Sequence, residues 1–202
     1  MFFARPILAG LALVLGFGTA GFAGDLPDAG TFAKGLYKTN KRAIALQVRR
    51  ADLVPENYKK ALEIAVRIQK YYEAMAASPS EGMLAKSASL AGNFHDLENA
   101  RATAVRACNA KKKKDSEACV VIAEFLPKGY QPSKGATLSY IATEDFKSSY
   151  RRAKNNKAFA ISRATGAWGK AVGAASTDAA HAAALADCAK NGAKDCTVIS
   201  EN

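Results

Sequence analysis

"AFAISRATGAWGKA" (residues 158–171) reads as two short strands around the turn "RATG", in which Gly166 supplies the positive φ that other residues resist. Downstream, Ser176 or Thr177 caps a helix running to about Lys190, which "NG" at Asn191 and Gly192 ends. "CTVIS", opening at Cys196, is a last strand. The order is strand, turn, strand, helix, turn, strand.

The same order recurs upstream. Set beside it, "AMAASPSEGMLAKS" (74–87) brings Ala74, Ala76, Ser78, Gly82 and Lys86 opposite Ala158, Ala160, Ser162, Gly166 and Lys170. With a four-residue insertion placed after this block, Ala100, Ala102, Ala104 and Cys108 match Ala180, Ala182, Ala184 and Cys188, and "CVVIAE" at Cys119 lies opposite "CTVISE" at Cys196. Three blocks in one order indicate an internal repeat. In the first copy Ser78, Pro79 and Gly82 make the turn, and Asn93 is the expected cap of a helix reaching about Ala110. Ala100, Ala104 and Cys108 share one helix face, as do Ala180, Ala184 and Cys188, so each helix can lie close on the sheet of its own hairpin.

The fold class that follows is α+β: two tandem ββαβ-like units, each with a helix packed on a small antiparallel sheet, plus an extra N-terminal strand and helix. The expected organisation is a signal peptide at 1–23, a strand and helix extension at 24–72, a first unit at 73–126, a linker with a strand and a helix at 127–156, and a second unit at 157–202. "RAIALQVRR" near Ala43 alternates as a strand does, and Pro55 starts a helix whose Tyr58, Leu62, Ala65, Ile68 and Tyr72 keep a helical period. "LPKGYQPSKG" is the clearest linker. "ATLSYIAT" near Ala136 reads as a strand, and "TEDFKSSYRRAK" as a helix with acids in its first turn and Arg151, Arg152 and Lys154 in its last.

Residues 158–201 resemble the exported bacterial module called domain of unknown function 4189. The match is carried by Ala158, Ala160, Ser162, Thr165, Gly166, Ala167, Trp168, Gly169, Cys188, Cys196 and Val198. The first copy, 74–124, is degenerate: Glu81, Met83, Leu84 and Ala85 stand where the turn has Thr, Ala, Trp and Gly. The family has no established activity, so the resemblance implies export, fold and cysteine pairing but no catalytic residues.

The first residues carry Arg5, an apolar run from about Ile7 to Phe17, and small residues to Ala23, the pattern of a secretory signal peptide cut near Ala23/Gly24. The expected location is periplasmic or secreted, with no transmembrane segment in the mature chain. Four cysteines in an exported chain are first read as disulfides. Three pairings exist; the simplest joins Cys108 to Cys119 and Cys188 to Cys196, each across one helix-to-strand turn. No C-x-x-C pair serves redox chemistry, and intervals of eleven and eight residues do not suit zinc. His95 and His181, the two histidines, fall at unmatched positions of the copies. No cofactor or metal is expected.

A formal net charge of +11 ordinarily raises nucleic acid first, but export disfavours it and favours an anionic envelope component or an acidic protein. The run Lys111, Lys112, Lys113 and Lys114 must project into solvent. Together with Arg151, Arg152, Lys154 and Lys157, and assisted by Lys128, Lys134 and Lys147, it is the candidate contact for an anionic partner. The expected function is a non-enzymatic binding module. The alternative is a cell-wall or glycan hydrolase using carboxylates such as Asp96, Glu98, Glu144 and Asp145.

Overall fold

The computed structural model describes residues 26–40, 42–190 and 192–201; the expected signal peptide lies outside them. α1 (Ala29–Gly35) starts where the Asp28 carboxylate accepts the Gly30 and Thr31 N–H groups. β1 (Ile44–Val48) leads through a 3-10 turn at Ala51–Leu53 to α2 (Glu56–Ala65), which opens on Pro55. A first unit follows as β2 (Glu73–Ala77), β3 (Ser89–Ala91), α3 (Leu97–Asn109) and β4 (Val120–Pro127). α4 (Tyr140–Ser148) and a 3-10 turn at Tyr150–Arg152 connect it to a second unit, β5 (Asn156–Ile161), β6 (Trp168–Ala174), α5 (Thr177–Ala189) and β7 (Thr197–Glu201).

The two units share a topology. β2 lies between β3 and β4, and β5 between β6 and β7, all antiparallel, while β1 extends the first sheet beyond β4. The register agrees residue for residue: Ala74 pairs with Glu124 as Ala158 does with Glu201, and Ala76 with Val121 as Ala160 does with Val198. A register shift interrupts the first pairing between Met75 and Ala76 and the second between Phe159 and Ala160, at matching positions. In the hairpins, Ala91 and Leu90 occupy the places of Ala171 and Lys170. The four extra residues of the first copy therefore lie inside its hairpin turn, before β3, and Lys86 is not the counterpart of Lys170. Asp96, whose carboxylate accepts the Asn99 N–H, caps α3 as Ser176 caps α5, correcting the expected cap at Asn93. Asn93 instead takes a positive φ of 60°, matching Gly173 at 68°. An asparagine tolerates that conformation, which explains its place in the turn.

Alternation along β5 buries both faces. Ala158 and Ala160 meet Ala180, Ala184 and Cys188 of α5, while Phe159 and Ile161 meet Phe146, Tyr150 and Leu138 on the opposite side, with Ala29 and Ala33 from α1 and Leu36 just after it. In the first unit, Ala74 and Ala76 meet Ala100, Ala104 and Cys108 of α3, and Ala77 and Ile122 are covered by Val54 and Met83 with the flank of α2. The N-terminal and linker segments are thus second covers for the sheets. Both disulfides follow the local pairing, Cys108 with Cys119 and Cys188 with Cys196, at Cα separations of 6.0 and 6.1 Å.

Three local expectations change. Ala136–Ser139 pairs with no strand; Ser139 caps α4, whose Ala142 N–H its side chain accepts. Glu144 and Asp145 consequently sit mid-helix, and Arg151 and Arg152 belong to the separate 3-10 turn. α2 stops at Ala65, leaving Ile68 exposed, whereas Tyr71 and Tyr72 are fully buried just before β2. Their rings join Tyr37, Tyr130 and Tyr140 in a cluster whose contacting centroids lie 5.3–6.4 Å apart. That burial outweighs the helical period, which continued unbroken through the sequence.

His95 fastens the units together. Fully buried, it accepts the Ser139 N–H at Nδ1 (3.0 Å) and donates from Nε2 to the Ala167 carbonyl in the second hairpin turn (2.8 Å). Those partners fix the neutral Nε2–H tautomer. Beside it, a Cβ on Gly166 would meet the Asn93 carbonyl oxygen at 2.7 Å, so the two turns touch backbone to backbone.

Candidate functional site

α1 ends at Gly35, where a Cβ would lie 2.6 Å from the Ala136 Cβ. The absence of a side chain lets residues 36–40 and 42–43 run against the loop after β4. Two further bonds set the spacing of these walls: the Lys128 N–H donates to the Ala43 carbonyl (2.7 Å) and the Gln131 N–H to the Tyr37 hydroxyl (2.8 Å). Between them lies a cleft of about 600 Å³ with Tyr37 and Leu36 at its base and Lys38, Asn40, Arg42, Lys128, Gln131 and Lys134 around it.

Among the described residues, no carboxylate lines the cleft. Among the described residues, Lys38, Arg42, Lys128 and Lys134 have no salt-bridge partner. The Lys134 ammonium lies 3.9 Å from the centroid of the Tyr37 ring, a cation–π contact that orders its stem. Lys147 comes up from α4 and donates to the Leu36 and Tyr37 carbonyls at 3.2 and 2.8 Å. Burial, then repulsion from Lys134, Arg151 and Lys38, holds its ammonium below the usual lysine range. Uncompensated positive charge in a half-enclosed, amide-bearing cleft is the arrangement that captures an anion.

The lysine run lies elsewhere. Lys111 and Lys113 line a groove with Ser80, Glu81, Lys86 and Ser116, all from the first unit. This loop is organised around an acid of its own. Glu81 accepts from Ser87 Oγ, from Ser116 Oγ (2.5 Å) and from the Lys113 N–H (2.7 Å). Those donors, led by Ser116, hold its carboxyl down at about 2. Lys112 donates to the Ser116 carbonyl at 2.7 Å and Lys111 to Ser89 Oγ at 3.3 Å.

Arg151 and Arg152 line a third groove with Thr39, Glu144, Lys147 and Ser148, next to the cleft through Lys38 and Lys147. Lys154 is exposed. Lys157 is not a surface contact: it is 4% exposed, and its ammonium donates to the Tyr150, Arg151 and Ala153 carbonyls, closing the 3-10 turn. The sequence shows it as one more lysine in a basic stretch, but its position at the start of a central strand turns it inward. Nothing in the sequence marks Lys38 and Arg42, because they become neighbours of Lys128 and Lys134 only when β1 pairs with β4.

The named carboxylates do not assemble into one centre. Asp145 pairs with Lys170 (2.6 Å), while Glu144 faces the groove of Arg151. Asp96 and Glu98 line one groove of about 350 Å³, but both Asp96 oxygens are engaged, one by the Asn99 backbone and both by its side-chain amide, with Arg163 at 3.3 Å on the second. His181 bonds Glu201 at 2.5 Å, tying α5 to β7. No group of three His, Cys, Asp or Glu side chains suited to a metal ion occurs among the described residues. No described helix is long and apolar enough to cross a membrane.

The model of a family described as a domain of unknown function (DUF4189) matches residues 157–201, the second unit from the second residue of β5 onward. It does not extend over the first unit. No curated protein and no solved structure matches the chain.

Proposed function

We propose that this is an exported, non-enzymatic binding protein that holds an anionic group of its partner in the Tyr37 cleft. The carrying observation is the convergence of Lys38, Arg42, Lys128 and Lys134 on one cleft with no carboxylate among the described residues of its lining. Asn40 and Gln131 add neutral groups that can orient an oxyanion, and the cation–π contact reduces the freedom Lys134 loses on binding. Export is supported by the leader-like first residues and by two disulfides, which persist in oxidising compartments.

The test is a backbone-amide NMR titration of residues 26–202 with inorganic phosphate, repeated on a Lys38→Gln/Arg42→Gln variant. The expected result is saturable shifts centred on Lys38, Arg42, Gly129 and Gln131, weakened roughly tenfold in the variant, as loss of about 1.4 kcal/mol requires. Shifts that never saturate, or that centre on Lys111 to Lys114 instead, refute the assignment.

A further inference from the structure

Resting on that reading, we infer that the cleft is the middle of a longer track and that its ligand is a linear acidic polysaccharide. Three grooves adjoin. Lys134 lines both the Tyr37 cleft and the groove of about 350 Å³ that holds Arg163, Asn99 and Thr137. At the other end, Lys38 and Thr39 are consecutive residues in the walls of the cleft and of the Arg151 groove, and Lys147 lies within electrostatic reach of Lys38, Lys134 and Arg151. The cations therefore follow one another from Arg152 through Lys38 and Lys134 to Arg163, with volumes of about 550, 600 and 350 Å³ along the way. One small anion can satisfy only one stretch of such a path, whereas a chain with charges at intervals engages all of it.

The choice between a polysaccharide and a nucleic acid follows from the side chains that are exposed. Among the described residues the exposed large apolar side chains are Ile64, Ile68, Leu84, Leu90, Ile141 and Val172, all aliphatic. Single-stranded nucleic acid is gripped by bases stacked on exposed aromatic rings, whereas the rings that reach this track, buried Tyr37 and Tyr72 and half-buried Tyr130, are packed against one another in the tyrosine cluster. What the track offers besides charge is amides and a hydroxyl: Asn40 and Gln131 in the cleft, and Thr137 at the Arg163 end, where Asp96 already holds Asn99 and Arg163. These pair with sugar hydroxyls between the charged groups.

The experiment measures calorimetric affinities of residues 26–202 for heparin-derived disaccharide, tetrasaccharide and octasaccharide and for an oligothymidylate of matched charge. Inorganic phosphate serves as the single-anion reference. The expected result is affinity rising at least tenfold from disaccharide to octasaccharide, as linked contacts provide. Arg151→Gln/Arg152→Gln should erase most of that rise without changing phosphate binding, and Lys111→Gln/Lys113→Gln should change neither. If phosphate binds in the cleft but length adds nothing, the track is wrong and the anion cleft stands. A lysine-loop variant that loses as much as the arginine variant, or tighter binding of oligothymidylate than of octasaccharide, also overturns the track. If neither phosphate nor any saccharide binds, both readings fall.

Discussion

Two buried side chains give this protein opposed responses to pH. Burial lowers His95 from 6.5 to about 4, and it raises Glu73, which is 5% exposed and has one oxygen without a partner, from 4.5 to about 7. For His95 the unfolded chain takes up a proton first as pH falls below 6.5, so its contribution is present above that value and is lost by about pH 4. For Glu73 the folded chain keeps the proton, so stability is present below pH 4.5 and is lost as pH rises through about 7. Each swing is on the order of 3 kcal/mol. Glu73→Gln should therefore be more stable than the parent at pH 8 and equal to it at pH 4.5; equal melting temperatures at pH 8 would refute burial as the cause. On that background the remaining loss of stability between pH 6.5 and 4 belongs largely to His95, and His95→Gln should flatten it. Neither residue carries a mark in the sequence that separates it from an ordinary surface acid or helix-start histidine. His95 acquires its role from Ser139 and Ala167, which are 44 and 72 residues away.

At the scale of elements, close approach of helix and strand is the organising feature. A Cβ on Gly169 would meet the Cys188 nitrogen at 2.2 Å and the Ala184 carbonyl oxygen at 2.5 Å, both of them backbone atoms that cannot turn aside. Gly169→Ala should cost about 3 kcal/mol or more, at the upper end of overpacking. Gly173, at φ 68° with open space around it, should lose only about 1–2 kcal/mol on the same change, since only its left-handed backbone suffers. Denaturant midpoints of the two variants decide the order; equal losses would mean that helix and strand separate easily. The first unit has Ser89 in the place of Gly169, buried and bonded to the Ser87 carbonyl and to Lys111. The duplicated alanine and cysteine spacing made both helices legible, because a face of small residues at four-residue intervals has few other uses. The strand expected near Ala136 failed for the complementary reason. A short apolar run has no helical or strand identity until partners claim it, and α4 claimed Tyr140 onward.

At the scale of the whole molecule, each sheet is covered on both faces, and half of the cover comes from outside the repeat. Phe159, fully buried against Phe146 and Tyr150, would face water if α1 and α4 were removed. A fragment of residues 157–202 should therefore lack near-ultraviolet dichroism and bind a hydrophobic dye, although it holds a complete strand order and its own disulfide, whereas residues 26–202 unfold cooperatively. A cooperative, dye-free fragment would show the covers to be dispensable. The basic track belongs to this scale too, since the β4 loop, the end of α1 and α4 each supply part of it. The sequence by itself determined the strand and helix order of the two units and the glycine turn of the second hairpin, and made the local cysteine pairing the simplest of three, because strand period, helix period and turn glycines act over a few residues. Tertiary structure alone decided which lysines converge, which one is buried, and that the N-terminal and linker segments are covers. Those outcomes depend on pairings between residues about a hundred or more positions apart, such as Tyr140 with Thr39 and Ser200 with Pro27, where burial and charge combine only after the chain has closed.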